Sequence, residues 1–103
     1  MIDPEKCRSM AEVRAGVDAL DEQIMTLLGQ RMCYMDAAAR IKQHKHEVRD
    51  EARKAEVIAN AVRSAKQAGV PPDLAGQIYE LLVEGSIAYE HQRFEGRSGR
   101  RRP

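Results

Sequence analysis

Apolar positions recur along the first half of the chain at alternating steps of four and three, as one face of an α-helix requires. Val13, Val17, Leu20, Ile24 and Leu27 set the register, which continues through Arg31, Tyr34, Ala38 and Ile41. No proline interrupts the stretch, and only Gly16 and Gly29 weaken it. Ser9 followed by Glu12 has the spacing of a capping box. One very long helix is therefore expected from about Ser9 to about His44, after an irregular arm over residues 1–8. The polar stretch Gln43 to Arg49 reads as a connecting loop.

A second helix is expected to start near Asp50, a good cap residue, with Val57, Ile58, Ala61, Val62 and Ala65 at helical spacing. Gly69 sits where a C-cap glycine would. Val70-Pro71-Pro72 reads as a stiff turn, with Asp73 as the cap of a third helix. Leu74, Ile78, Leu81, Leu82, Gly85 and Ala88 form its apolar stripe, to about Phe94. The helical domain thus covers residues 9–95. A basic tail, residues 96–103, is expected to be disordered. The fold class is all-α, with three helices per chain.

Length turns this pattern into a statement about assembly. A helix of about 35 residues is about 52 Å long, whereas a compact domain of about 100 residues has a radius of gyration of about 13 Å. Its own two shorter helices cannot cover such a seam, and an exposed seam would be a large apolar patch. A homodimer paired along this helix is expected. The alternative is a break near Gly29 that folds the chain back as a monomeric bundle.

Composition narrows the function classes. The 103 residues hold 17 Lys and Arg against 16 Asp and Glu, a net charge of only +1. That balance speaks against general attraction to nucleic acid or an anionic membrane. No apolar run reaches the length of a membrane span, and Met1-Ile2-Asp3-Pro4-Glu5 has no signal-peptide character. A cytoplasmic location is expected, with no nucleic-acid or membrane partner. Cys7 and Cys33 are too few for a disulfide framework. His44 and His46 read as solvated loop residues, and no metal site is assigned.

The candidate chemistry starts from Arg31, a cation where the seam calls for an apolar residue. Either it snorkels outward or it meets an anion in a pocket. Lys42 lies close to three turns further on, roughly on the same face, with Met35 and Ala38 between them as a permissive lining. Two such cations suit a small dicarboxylate. Arg14 lies about 25 Å from Arg31 along the axis, so it can serve the same ligand only from a partner chain. Asp50 and Arg53 share the first turn of the second helix. Val83, Ser86, Ile87 and Glu90 share one face of the third.

At these residues the chain resembles the all-α chorismate mutases. Arg14 with Leu20-Asp21-Glu22, Leu27-Leu28-Gly29-Gln30-Arg31, Ala38 to Lys42, Val48 to Arg53 and Glu84-Gly85-Ser86-Ile87 are similar to successive motifs of that family. The resemblance covers about residues 5 to 95. It implies an intertwined homodimer with shared sites and rearrangement of chorismate to prephenate without a cofactor. It also implies the residue roles. Arg14 of the partner and Arg31 would bind the substrate carboxylates, and Lys42 and Glu90 would face the ether oxygen. Asp50, Arg53 and Ser86 would complete the pocket. Glu90 could donate a hydrogen bond there only when protonated. The arm and first helix also resemble the sister isochorismate-pyruvate lyases, through Pro4-Glu5-x-Cys7, Leu28-Gly29-x-Arg31-Met32-x-Tyr34 and Ala37-Ala38-x-Arg40. That likeness implies salicylate and pyruvate as the alternative products. Lys54, where many mutases carry a substrate-contacting glutamate, leans toward the lyase, while Ser86 and Glu84 lean toward the mutase.

Overall fold

The computed structural model describes residues 2–100, with side chains through Arg97. The described residues are helical throughout their regular structure, in the order α1 (Met10–Ile41), α2 (Glu51–Ala68) and α3 (Pro72–Arg100). Single 3-10 turns lie at Pro4–Lys6 and Lys45–Glu47. No helix among the described residues is long and apolar enough to cross a membrane. The chain divides into two compact units, residues 1–34 and 35–103, which are taken in turn.

In the first unit, the start of α1 follows from its capping residues. Ser9 offers its carbonyl to the Val13 amide at 3.2 Å, and its hydroxyl accepts from the Glu12 amide at 3.2 Å. The Glu12 carboxylate reaches back to the Arg8 amide at 2.8 Å, one residue earlier than a standard capping box. The helix is continuous at Gly29, so the chain does not turn back there. None of residues 2–34 is buried. Val13, Val17, Leu20, Ile24 and Leu27 are all exposed, Leu27 to 62%.

In the second unit, α2 begins on Asp50, whose carboxylate accepts from the Arg53 amide at 3.0 Å. It ends on Gly69, where φ of 82° is a left-handed conformation that glycine adopts at least cost. The Val70 amide closes that end on the Ala65 carbonyl at 2.9 Å. The expected stiff turn at Val70-Pro71-Pro72 is shorter than the sequence suggested. Pro72 is already the first residue of α3, and the Pro71 carbonyl accepts from Ala75 at 3.1 Å. Proline's fixed φ and missing donor suit that first position, so Asp73 lies within the first turn rather than capping it.

The packed face of α3 also differs from the expected stripe. Leu74, Ile78 and Leu81 are exposed to 47%, 50% and 77%, while Ala75, Val83, Ser86, Glu90 and Phe94 are buried. The helix carries two faces capable of packing, and within this unit the one with smaller residues is used. Ala39, Val48 and Phe94 form a small core, with Ile87 against it. Burying the Phe94 ring there is worth about 2 kcal/mol. Residues 96–100, expected to be disordered, continue α3. The physical reason is at Arg97, whose guanidinium hydrogen-bonds carbonyls at the end of α1. The remainder of the expected tail, residues 101–103, lies outside the described residues.

Candidate active site

Lys42 directly follows the last residue of α1, and its amide still donates to the Ala38 carbonyl at 2.9 Å. The side chain therefore leaves from a helical backbone. Its Nζ donates to both carboxylate oxygens of Glu90, at 3.2 and 3.0 Å. The Glu90 side chain is 5% exposed and that of Lys42 29%. A buried carboxylate is costly unless paired, and here the pairing ammonium comes from another element. Both oxygens act as acceptors, which is the hydrogen-bonding pattern of an ionised carboxylate. For Glu90 to donate a hydrogen bond, it would have to be protonated and turned away from Lys42.

Ser86 lies one turn before Glu90 on the same buried face of α3. Its hydroxyl donates to the Leu82 carbonyl of its own helix at 2.7 Å. Val83 is buried and Ile87 half-buried on this face. Ala38 and Met35 are half-buried on α1.

The loop after Lys42 is cross-braced. The Glu47 carboxylate accepts from the Gln43 and His44 amides, each at 2.8 Å. These bonds, His44's first, hold the carboxyl below its ordinary range. The loop's far end is fixed by Val48, which is 3% exposed.

Beyond Val48 a second set of charges joins the start of α2 to α3. Arg49 grips Glu84 with two nitrogens, at 2.6 and 3.0 Å, and also donates to Glu51 at 2.8 Å. Lys54 donates to Glu84 and Glu80, both at 2.7 Å. Hydrogen bonds from Arg49 and then Lys54 pull the Glu84 carboxyl down to about 2. The same contacts raise Arg49, through Glu84 first, and Lys54, through Glu80 first.

The expected site residues thus separate into groups. Lys42 and Glu90 meet directly, with Ser86 and Val83 on the same helix face. Asp50 serves as the α2 N-cap, and the exposed Arg53 guanidinium pairs with Glu56 of its own helix. In the first unit, Arg31 is half-buried and Arg14 exposed, both on α1. The sequence reading did not single out Arg49 or pair Lys54 with α3. A signal for Lys54 was present: Glu80 and Glu84 stand one turn apart and can converge on a single cation.

Comparison with known proteins adds two findings. Residues 13–91 match the family described as chorismate mutase type II. The chain is also 28% identical over 85 residues to isochorismate pyruvate lyase from Pseudomonas aeruginosa, an alignment covering 82% of this chain and 84% of that protein.

Proposed function

The chain belongs to the chorismate mutase type II family, and from that premise we propose that it converts chorismate to prephenate. The observation that carries this reading is the Lys42 ammonium held by a buried carboxylate at 3.0 Å. The rearrangement is unimolecular and pericyclic, so the protein need only hold the enolpyruvyl ether in a reactive chair and stabilise charge as the C–O bond breaks. A fixed ammonium suits the second task. Bidentate arginine clamps on the two carboxylates suit the first. In this reading Arg31 and a partner chain's Arg14 are the clamps. Asp50, Arg53 and Ser86 complete the pocket, lined by Met35, Ala38, Val83 and Ile87. A rate gain of about a millionfold needs about 8 kcal/mol, within reach of the two effects together.

Sharing of the site rests on an intertwined homodimer. What supports it is the exposed apolar register Val13, Val17, Leu20, Ile24 and Leu27, which is too large an apolar face to leave in water. Mixing Arg14→Ala and Arg31→Ala dimers under subunit exchange is expected to restore about a quarter of the sites. No recovery after confirmed exchange would refute shared sites. The two cysteines are free, Cys7 half-buried and Cys33 exposed, which suits a reducing cytoplasm.

A second reading, isochorismate-pyruvate lyase, is favoured by the Pseudomonas aeruginosa relative. There the ether C–O bond also breaks, but a ring hydrogen passes to the enolpyruvyl methylene, so pyruvate departs and the aromatised ring remains as salicylate; Lys42 would play the same part. Lys54 does not by itself select between the readings, because it is engaged with Glu80 and Glu84. The deciding experiment supplies chorismate and isochorismate separately to purified protein. Prephenate from the first is the expected result. Salicylate and pyruvate from the second, with chorismate untouched, would replace the mutase by the lyase.

A further inference from the structure

We propose that Arg97 is a positioning residue for Lys42, acting as a cap on the end of α1 supplied from the far end of α3. The inference rests on the reading of Lys42 given above. It concerns a residue beyond the 13–91 segment matched to the family, in a stretch whose composition suggested disorder.

The last four carbonyls of a helix have no partner in that helix, and they form its negative end. α1 stops at Ile41 without a glycine to cap it. Arg97 Nη1 donates to the carbonyls of Ala39 at 2.5 Å, Arg40 at 3.3 Å and Lys42 at 2.5 Å. A cation thus meets two of the orphaned carbonyls and the carbonyl of the lysine itself. The guanidinium lies over the Phe94 ring, 4.6 Å from its centre. It is set deeply enough that its Nε is buried without a hydrogen-bond partner among the described residues. Phe94 packs with Ala39 and Val48, which bracket the loop from either side. Lys45, inside the loop, pairs with Glu95 at 3.1 Å.

One turn of α3 therefore closes on both ends of the loop that carries Lys42. Glu90 and Arg97 are seven residues apart and share a face. The first holds the lysine's ammonium and the second its backbone. With both ends of the residue fixed to one rigid helix, the ammonium has little freedom before substrate arrives, which is what charge stabilisation without reorganisation requires. Without Arg97, the carbonyls of Ala39 and Lys42 would turn to water, and Lys42 would keep only its amide bond to Ala38 and its side-chain tether.

The test compares the full-length chain with Arg97→Ala and Arg97→Lys by amide hydrogen exchange and steady-state kinetics. In Arg97→Ala, amides of residues 39–48 are expected to exchange faster while those of α2 do not. With whichever substrate the parent turns over, kcat/KM is expected to fall about tenfold or more, chiefly in kcat. Arg97→Lys should recover part of both, since an ammonium can donate to the same carbonyls but lacks the planar group that lies over the Phe94 ring. Unchanged exchange in the loop would overturn the latch whatever the activity does. Faster exchange with parental kcat would overturn its role in placing Lys42. A parent inactive on both chorismate and isochorismate would remove the enzymatic reading and the catalytic half of this proposal. The exchange result would then decide the latch alone. A uniform loss of protection across all helices in Arg97→Ala would reduce Arg97 to a general stabilising residue and overturn the proposal.

Discussion

Of the opposite charges that connect α3 to the rest of its unit, two sets differ sharply in what surrounds them. Lys42 and Glu90 form a single pair with the carboxylate almost fully buried. Arg49, Glu84, Lys54 and Glu80 form a connected network at the surface, with Glu84 38% exposed and in contact with two cations. In the network each charge keeps some water, so losing one contact leaves the others solvated and the cost low. In the pair the Glu90 side chain is only 5% exposed, so removing Lys42 would leave a carboxylate with little water to replace it. A fold with so small a core would gain more from an apolar pair at the first site. An ammonium and a carboxylate kept there are what the proposed ligand-binding role of Lys42 calls for.

Glu90→Ala is the sharpest way to break this contrast. It is expected to destabilise the fold by about 2 kcal/mol, toward the low side because Lys42 retains partial solvent contact. It should also depress turnover, by releasing the ammonium. Denaturant unfolding and the chorismate assay would measure both, and a variant as stable and active as the parent would show that the pair is incidental. Glu84→Gln should act more gently, and mainly in acid. The Glu84 carboxyl is held at about 2, against an ordinary 4.5. Its contribution is therefore present above about 4.5 and lost as pH falls toward 2. Thermal melts should show the parent weakening over that window and Glu84→Gln following a flatter course; parallel curves would argue against the network. The smallest expected effect is on salt dependence. Added salt should narrow the stability gap between parent and Glu84→Gln, but hardly change the gap opened by Glu90→Ala.

The helices were legible because their signals are local. The four-three recurrence from Val13 to Leu27, Asp50 as a cap and Gly69 as a left-handed terminator each act within a few residues of themselves. Lys42 and Glu90 were legible as candidates from residue type and helix face, together with the family resemblance. The face of α3 was misjudged because periodicity finds apolar stripes without saying which one a neighbour covers. Leu81 looked like core and is 77% exposed, whereas the face with Val83, Ser86 and Glu90, set apart from that stripe, is buried. Arg97 was misread for a related reason, since its glycine- and arginine-rich surroundings have no helical pattern of their own.

The sequence by itself determined the all-helical class and the number of long helices, because turn chemistry and capping are properties of short segments. Only the tertiary structure decided which carboxylate holds Lys42, which one binds Lys54 and Arg49, and why the chain past Phe94 stays helical. Those pairings join residues 26 to 58 positions apart. At such separations, partners are chosen by the packing that brings whole helices together, and no local signal specifies them.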